Sequence, residues 1–570
     1  MEKPNLYDIR VTLRENGVQK DVYEESFGFR KVEFKADGFY LNDRKFKLRG
    51  LNRHQSYPYV GYAMPASMQI RDAEILKYEL GLNAVRTSHY PQSHDFIRRC
   101  DEIGLLVFTE IPGWQHIGDE AWKDQAVANV TEMVVQYRNH PSIFLWGVRI
   151  NESKDDDALY TRTNAEAHRL DSTRQTGGVR CYKRSSLLED VYTYNDFVHN
   201  GKNEGVEQKK YITPDMSKAY FVSEYNGHMF PTKSFDNEDH RLEHALRHAT
   251  VLNAVNSYDD IAGSFGWCMA DYNTHKDFGA GDRICYHGVL DMVRNPKMAA
   301  SVYASQSDRG VVLEVSSSMD IGEHPAGIRQ AVYIFTNADS VRMYRNDVFI
   351  HEYVPEKSEY KNLKHGPILV DDYVGDQLET VEGFPKKQAE DIKKVLLAAA
   401  KYTINDLPKS VMMTAGKLMV VNKMTMEQAY ELYEKYIGGW GDTVTTFRFE
   451  AVKDGHVVKT VIKAPNREVH FTIEPSKTAL TEEKSYDVAA LRIRAVDEND
   501  NVLPYYCEPV QFTCEGDIEL IGPATSVFRG GTCGTYIRTK PGKGSGSGRM
   551  VITFADGSHW EQTFTCTYAE

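Results

Sequence analysis

SIFLWGVRINES, residues 142–153, is an apolar, β-prone run that stops at an adjacent amide and carboxylate, Asn151 and Glu152. The strand of a closed barrel delivers an acid to its open end in this way. AYFVSEYNGH, residues 219–228, repeats the pattern with Glu224. Glycoside hydrolysis requires two carboxyl groups flanking the scissile bond, one protonated as general acid and the other ionised. These two glutamates are therefore read as a catalytic pair, provided the chain around them can bring them together.

Outward from these runs, residues 36–306 alternate strand and helix. The strand candidates are 45–54, 83–90, 105–112, 142–153, 176–182, 191–197, 219–228 and 263–272. Between most of them lie amphipathic helices such as 67–80, ended by Gly81, 93–103, ended by Gly104, and 119–138, stopped before Pro141. Eight β/α units in about 270 residues is the arithmetic of an α/β (β/α)8 TIM barrel, whose site lies at the C-terminal ends of its strands. A doubly wound sheet is the alternative arrangement. In the barrel both glutamates reach one mouth, at the ends of strands four and seven. Arg53 and His54, Arg86 and His89, Glu110, Trp114 and His116, Asn195 and Asp196, and Trp267 and Asp271 follow other strands to the same end.

The flanks read as β structure. Residues 1–35 resemble the tail of an immunoglobulin-like β-sandwich, with a turn at Glu15-Asn16-Gly17. Residues 307–465 read as a sandwich interrupted by helix between 388 and 436, and residues 466–570 as a C-terminal sandwich with a flexible KGSGSGR tip at 543–549. The partition expected is thus 1–35, 36–306, 307–465 and 466–570, in keeping with roughly 100 to 200 residues per domain.

Composition excludes some classes. A net charge of −13 argues against a surface built for nucleic acid or anionic lipid. The start, MEKPNLYDIR, has no apolar leader and no stretch approaches a membrane span, so a cytoplasmic protein is expected. Eight scattered cysteines without a CxxC read as reduced thiols. His240-Arg241-Leu242-Glu243-His244 is formally a zinc motif, with His248 a turn further on, but it lies on an ordinary crossover helix with no third ligand apparent. No cofactor and no metal are expected.

The segments KLRGLNRHQ (47–55), NAVRTSHYP (83–91), YRNHPSIFLW…NES (137–153), VSEYNGH (222–228) and GVLDMVRNPKMAA (288–300) together resemble glycoside hydrolase family two, the β-galactosidases, β-glucuronidases and β-mannosidases. The resemblance covers the barrel closely and the sandwiches loosely. It implies a retaining β-glycosidase acting on a carbohydrate, most simply a β-galactoside, with Glu152 as acid/base and Glu224 as nucleophile about 5 to 5.5 Å apart. It also implies that Asn151 binds the sugar 2-hydroxyl and that His89, His116 and Trp267 line the sugar site. Trp114, Tyr194, Asn195, Asp196, Arg86 and Arg53 complete the expected substrate-binding set. Burial beside Trp146 and Ile150 is expected to raise Glu152, and Arg86 to keep Glu224 charged.

Four departures from the family pattern stand out. The amino-terminal sugar-binding domain has no counterpart here, which points to a homo-oligomer or a partner chain completing the pocket. Four residues rather than three separate Trp146 from Asn151, which implies a bulge re-aiming the strand end. Tyr194-Asn195-Asp196 replaces Tyr-Asn-Tyr, setting a carboxylate beside Glu224 and leaving Tyr194 or Tyr225 to orient it. Cys285-Tyr286-His287 stands where β-glucuronidases carry an Asn-x-Lys clamp, which disfavours uronic acids. Other β-glycosidase specificities and a non-catalytic carbohydrate-binding subunit remain the alternatives.

Overall fold

Eight strands, Leu48–Arg53, Ala84–Thr87, Leu106–Glu110, Ile143–Gly147, Gln175–Arg180, Val191–Asn195, Ala219–Glu224 and Ile261–Gly266, close into one barrel. Every ladder between neighbours is parallel. The structure, a computed structural model, describes residues 3–274, 281–403, 406–438 and 444–569. Four of the helices around the barrel begin where a polar side chain satisfies a free amide. Ser93 caps His94–Ile103, Asp119 caps Glu120–Tyr137, Asp156 caps Asp157–Leu170 and Asn237 caps Glu238–Ser257.

The barrel is filled by its own side chains at the end remote from the glutamates. Leu48, Ala84, Leu106, Phe108, Phe144, Leu145, Val179, Val191, Ala219, Phe221, Ala262 and Phe265 form one buried cluster with Phe34 and Phe39. The last two belong to a small antiparallel sheet, Val32–Lys35, Gly38–Leu41 and Arg44–Phe46, which plugs the barrel floor. Residues 32–35, grouped by the sequence reading with the leading strands, are therefore part of this plug. Ahead of it, Tyr7–Glu15 and Val18–Phe27 form a hairpin with Tyr7, Ile9, Val11 and Leu13 exposed. A second apolar layer, from Leu51 and Val85 to Val222 and Tyr303, lies between strands and helices.

Both glutamate-bearing strands are irregular. In the fourth, Ile143 pairs with Val107 and Leu145 with Phe108, so the ladder skips Phe144. The irregularity anticipated between Trp146 and Asn151 thus occurs earlier; the strand ends at Gly147, and Asn151 bridges to Trp114 beyond it. In the seventh, Tyr194 pairs with Val222 and Asn195 with Glu224, skipping Ser223. Strict alternation from the inward Ala219 and Phe221 would turn Glu224 outward, and the skipped residue turns it in.

Downstream, strands of 313–369 and 340–463 build a three-stranded and a four-stranded sheet, joined by the helices Gln377–Thr380, Lys386–Ala399, Lys409–Val420 and Met426–Tyr436. The C-terminal unit pairs a four-stranded sheet with a five-stranded one. Its KGSGSGR segment is not a free tip: Ser545 opens a strand that runs to Phe554 between two partners. On the helix Glu238–Ser257, His240 stacks on Phe230 at 4.1 Å, Glu243 pairs with Arg247, and His248 bonds the Tyr303 hydroxyl. The zinc-like motif is thus spent on packing. All eight cysteines are free thiols, and no helix among the described residues is long and apolar enough to cross a membrane.

Arg53 faces out of the barrel, not into its mouth. Its guanidinium is fully buried against Asp72, which also binds Arg294 and the Tyr57 hydroxyl, so one carboxylate compensates two interior cations. Burial opposes the Asp72 charge, yet Arg294 and Arg53 hold its pKa down at about 2. Because that value lies below the unfolded one, the contribution is complete above about pH 4 and is lost as pH falls toward 2. Asp72→Asn is expected to destabilise the barrel by about 3 to 5 kcal/mol at neutral pH, read from the urea midpoint. An unchanged midpoint would show that the two arginines find other compensation.

Candidate active site

Groups on, or just beyond, four other strands meet at a single buried cation on the second. Arg86, at the end of the second strand, donates to both oxygens of Glu110 at 3.1 and 2.7 Å, to Glu224 Oε1 at 2.6 Å, to Asn151 Oδ1 at 2.9 Å and to Asn52 Oδ1 at 2.9 Å. Alternation along Ala84–Thr87 places Arg86 on the inner face, since Ala84 belongs to the barrel interior and Val85 to the outer layer. Gly147 makes room for Glu110: a Cβ there would lie 2.2 Å from the Glu110 Cβ.

Glu152 sits across the mouth in left-handed backbone, at φ 55°. Asn195 Nδ2 donates to one of its oxygens at 2.9 Å, and Trp114 Nε1 and Gln115 Nε2 donate to the other at 3.0 and 3.2 Å. Trp114 is 55% exposed, so this side opens to solvent. Opposite, Trp267 lies flat on the His89 ring, with centroids 5.2 Å apart and planes within 7°. Its indole N–H reaches Tyr272 and His287, and His54 packs edge-on against it. Gly227, at φ 59°, allows the loop after Glu224 to approach this indole, because a Cβ would meet it at 2.4 Å.

The electrostatics differ from expectation. Burial is the largest influence on Glu224 and raises it above the ordinary glutamate range; Arg86 and His89 oppose this and Glu152 adds to it. Burial also acts on Glu152, but the donors Asn195, Trp114 and Gln115 outweigh it and hold Glu152 low. The anticipated order was the reverse. Trp146 cannot raise Glu152, because its ring faces the outer layer and its N–H binds Asp171. Glu110 is kept charged, with Arg86 and then His89 overcoming its burial.

Glu152, Glu224, Asn151, His89, Trp114, Asn195, Trp267 and Arg86 thus converge as the sequence reading proposed, and five residues do not. Arg53 is structural, as described. Asp196 points away from Glu224 and accepts from the amides of Val198 and Glu207; burial pushes it up to about 6. Tyr194 lies in the outer apolar layer, and Tyr225 bonds Tyr303 there, so neither orients Glu224. His116 is exposed and meets Trp122 edge-on at 5.8 Å, clear of the glutamates. Glu110 was visible as a strand-end acid without a role. Gln115 carried no signal beyond its loop, and Asn52, on the first strand, and Tyr272 were not singled out. Among the described residues no group of three or more His, Cys, Asp or Glu is placed to hold a metal ion.

Comparison with known proteins agrees with this geometry. The model of the glycosyl hydrolases family 2 TIM barrel domain matches residues 32–309, and a second glycosyl hydrolases family 2 model matches residues 1–30. The β-galactosidase of Thermoanaerobacterium thermosulfurigenes is 43% identical over 538 residues, covering 93% of this chain and 67% of that protein. That of Thermoanaerobacter pseudethanolicus is 40% identical over 551 residues, covering 95% of this chain and 65% of the relative. The crystal structure of a β-glycosidase from Bacteroides vulgatus superposes with a TM-score of 0.71 over 98% of this chain and 69% of its own; at 18% identity it speaks for the fold alone. On its barrel, its paired strand-end glutamates and these relatives, the chain belongs to glycoside hydrolase family 2.

Proposed function

We propose that this chain is a retaining exo-β-glycosidase that releases terminal β-galactose through a covalent intermediate on Glu224. The observation that carries the reading is the linked placement of the two carboxyls: Arg86 binds Glu224 at 2.6 Å and also the Asn151 amide, the residue before Glu152. Galactose is favoured because relatives covering most of the chain are named β-galactosidases. A second chain, or another copy, would pack on the exposed apolar face of the leading hairpin.

In the first step a Glu224 oxygen bonds to the anomeric carbon while the bond to the departing oxygen breaks and that oxygen takes the Glu152 proton. In the second, Glu152 accepts a proton from water, whose oxygen displaces Glu224 and frees the sugar. The resting pKa order must invert before step one. A bound glycoside sets a neutral acetal oxygen against Glu152 and covers its open side, so desolvation penalises the Glu152 charge as it already penalises Glu224. Arg86 then makes Glu224 the better seat for the single negative charge, and the proton passes to Glu152. Once the ester forms, Glu224 is neutral, its repulsion ends, and Glu152 becomes a base.

Against a panel of aryl β-galactoside, glucoside, mannoside and glucuronide, the galactoside is expected to show the highest kcat/KM. Glu152→Gln and Glu224→Gln should each lower it by about 10²-fold or more; full activity in both variants would sink the assignment of these two residues, and no activity of the parent on any sugar would return the chain to a carbohydrate-binding role. The pH profile gives a separate check. Gln115→Ala removes a donor from the ionised form of Glu152 and so raises its pKa. Because kcat/KM reports the free enzyme, in which Glu152 lies below Glu224, the acid limb should move upward by about half a pH unit, and a downward move would contradict the role assigned to that bond.

A further inference from the structure

The proton held by Glu152 goes to the oxygen that departs, so the surface just beyond Glu152 is what the leaving group meets. The indole of Trp114 lies there. Its Nε1 donates to Glu152 Oε2 at 3.0 Å, while Asn195, from the sixth strand, holds the other oxygen. A glycosidic oxygen hydrogen-bonded to this carboxyl stands about 3 Å from it, which puts the first atoms of the leaving group within about 6 Å of the indole nitrogen.

Trp114 is held in place and yet uncovered. Its backbone bridges to Asn151, the Gln115 amide donates to the Asn151 carbonyl at 2.8 Å, and Gly113, at φ 145°, lets the loop lie against Ile150, which a Cβ would meet at 2.8 Å. Loop and N–H together fix the ring. It is nonetheless 55% exposed, and no aromatic ring or cation among the described residues stacks on it. A rigid indole face open to water accepts aromatic rings and C–H faces at little cost in side-chain entropy. Across the opening, Phe197 and His228 pack edge-on with centroids 4.5 Å apart. The exposed His228 ring feels the Glu152 charge, which places this second wall on the same opening.

We infer that Trp114 is the platform of the leaving group, and that the chain selects β-galactosides whose aglycone presents a flat face to the indole, either an aryl ring or the C–H face of a second sugar. An open-chain alcohol has no such face and gains only the contacts of its few methylenes. Edge and face of the one residue then have separable roles: the N–H edge positions Glu152, and the ring face binds the group that Glu152 protonates. The inference rests on the β-galactosidase reading above and adds to it the class of leaving group.

The test is binding of non-hydrolysable thioglycosides, measured by titration calorimetry. Phenyl 1-thio-β-galactoside and lactose with sulfur as the linking atom are compared with methyl 1-thio-β-galactoside, which fills the sugar site alone. At least one of the two larger ligands is expected to bind about tenfold more tightly than the methyl compound; a gain for the phenyl compound alone names an aryl leaving group, and a gain for the disaccharide alone names a sugar. Trp114→Ala should bring the ratio to within about twofold. Trp114→Phe should keep most of it while moving the acid limb of kcat/KM upward by about half a pH unit, because the face stays and the N–H goes. Gln115→Ala, which disturbs Glu152 from the same loop without removing the platform, should leave the ratio unchanged. A ratio near one in the parent, or equal weakening of the methyl and larger ligands in Trp114→Ala, would overturn the platform. Binding of none of the three ligands would instead overturn the galactoside reading on which it rests.

Discussion

The mouth of the barrel is organised by the positive charge of Arg86. This guanidinium is fully buried, and its planar fork of donors is shared among Glu110, Glu224, Asn151 and Asn52. A buried cation is tolerable only when compensated, and two buried carboxylates beside it are tolerable only in its presence. The arrangement therefore fixes the relative positions of the first, second, third, fourth and seventh strands at their C-terminal ends. Glu110 is a positioning residue in this sense. It touches the guanidinium and the His89 ring, and keeps Arg86 from pairing with Glu224 alone.

The two carboxyls proposed as catalytic differ in what surrounds them, and that difference is the basis of the roles proposed for them. Glu224 is enclosed, with one ionic partner beneath it; Glu152 faces the opening and is solvated by three neutral donors. Neutral donors stabilise a charge only while they remain in place, whereas Arg86 is held from several sides. Seating a ligand therefore perturbs Glu152 more than Glu224. A pair whose proton is easily redistributed suits a reaction that asks one group to act first as acid and then as base.

Much of this was legible in the sequence, because apolar runs ending in polar residues mark barrel strands and their open ends. The facing of individual side chains was less so, and the errors share one cause. Along Leu48–Arg53 and Val191–Asn195, inward Leu48 and Val191 fix a period of two that puts Asn52 and Asn195 inside and Arg53, Tyr194 and Asp196 outside. Counting from the apolar residues would have excluded all three. Glu224 escapes that count, since only the skipped Ser223 turns it inward, and no residue type at 223 announces an irregularity. The pKa order was not legible either: it depends on Gln115 and Trp114, which reach Glu152 from a loop rather than from a strand.

The central claim is that Glu224 is the nucleophile and that the reaction proceeds through a covalent glycosyl-enzyme. Incubation with a 2-deoxy-2-fluoro-β-galactosyl fluoride, followed by proteolysis and peptide mass, tests it directly. The account predicts time-dependent inactivation with one fluorosugar on the peptide carrying Glu224. Labelling of Glu152 or Glu110 instead, or turnover with inverted anomeric configuration and no trapped ester, would contradict it.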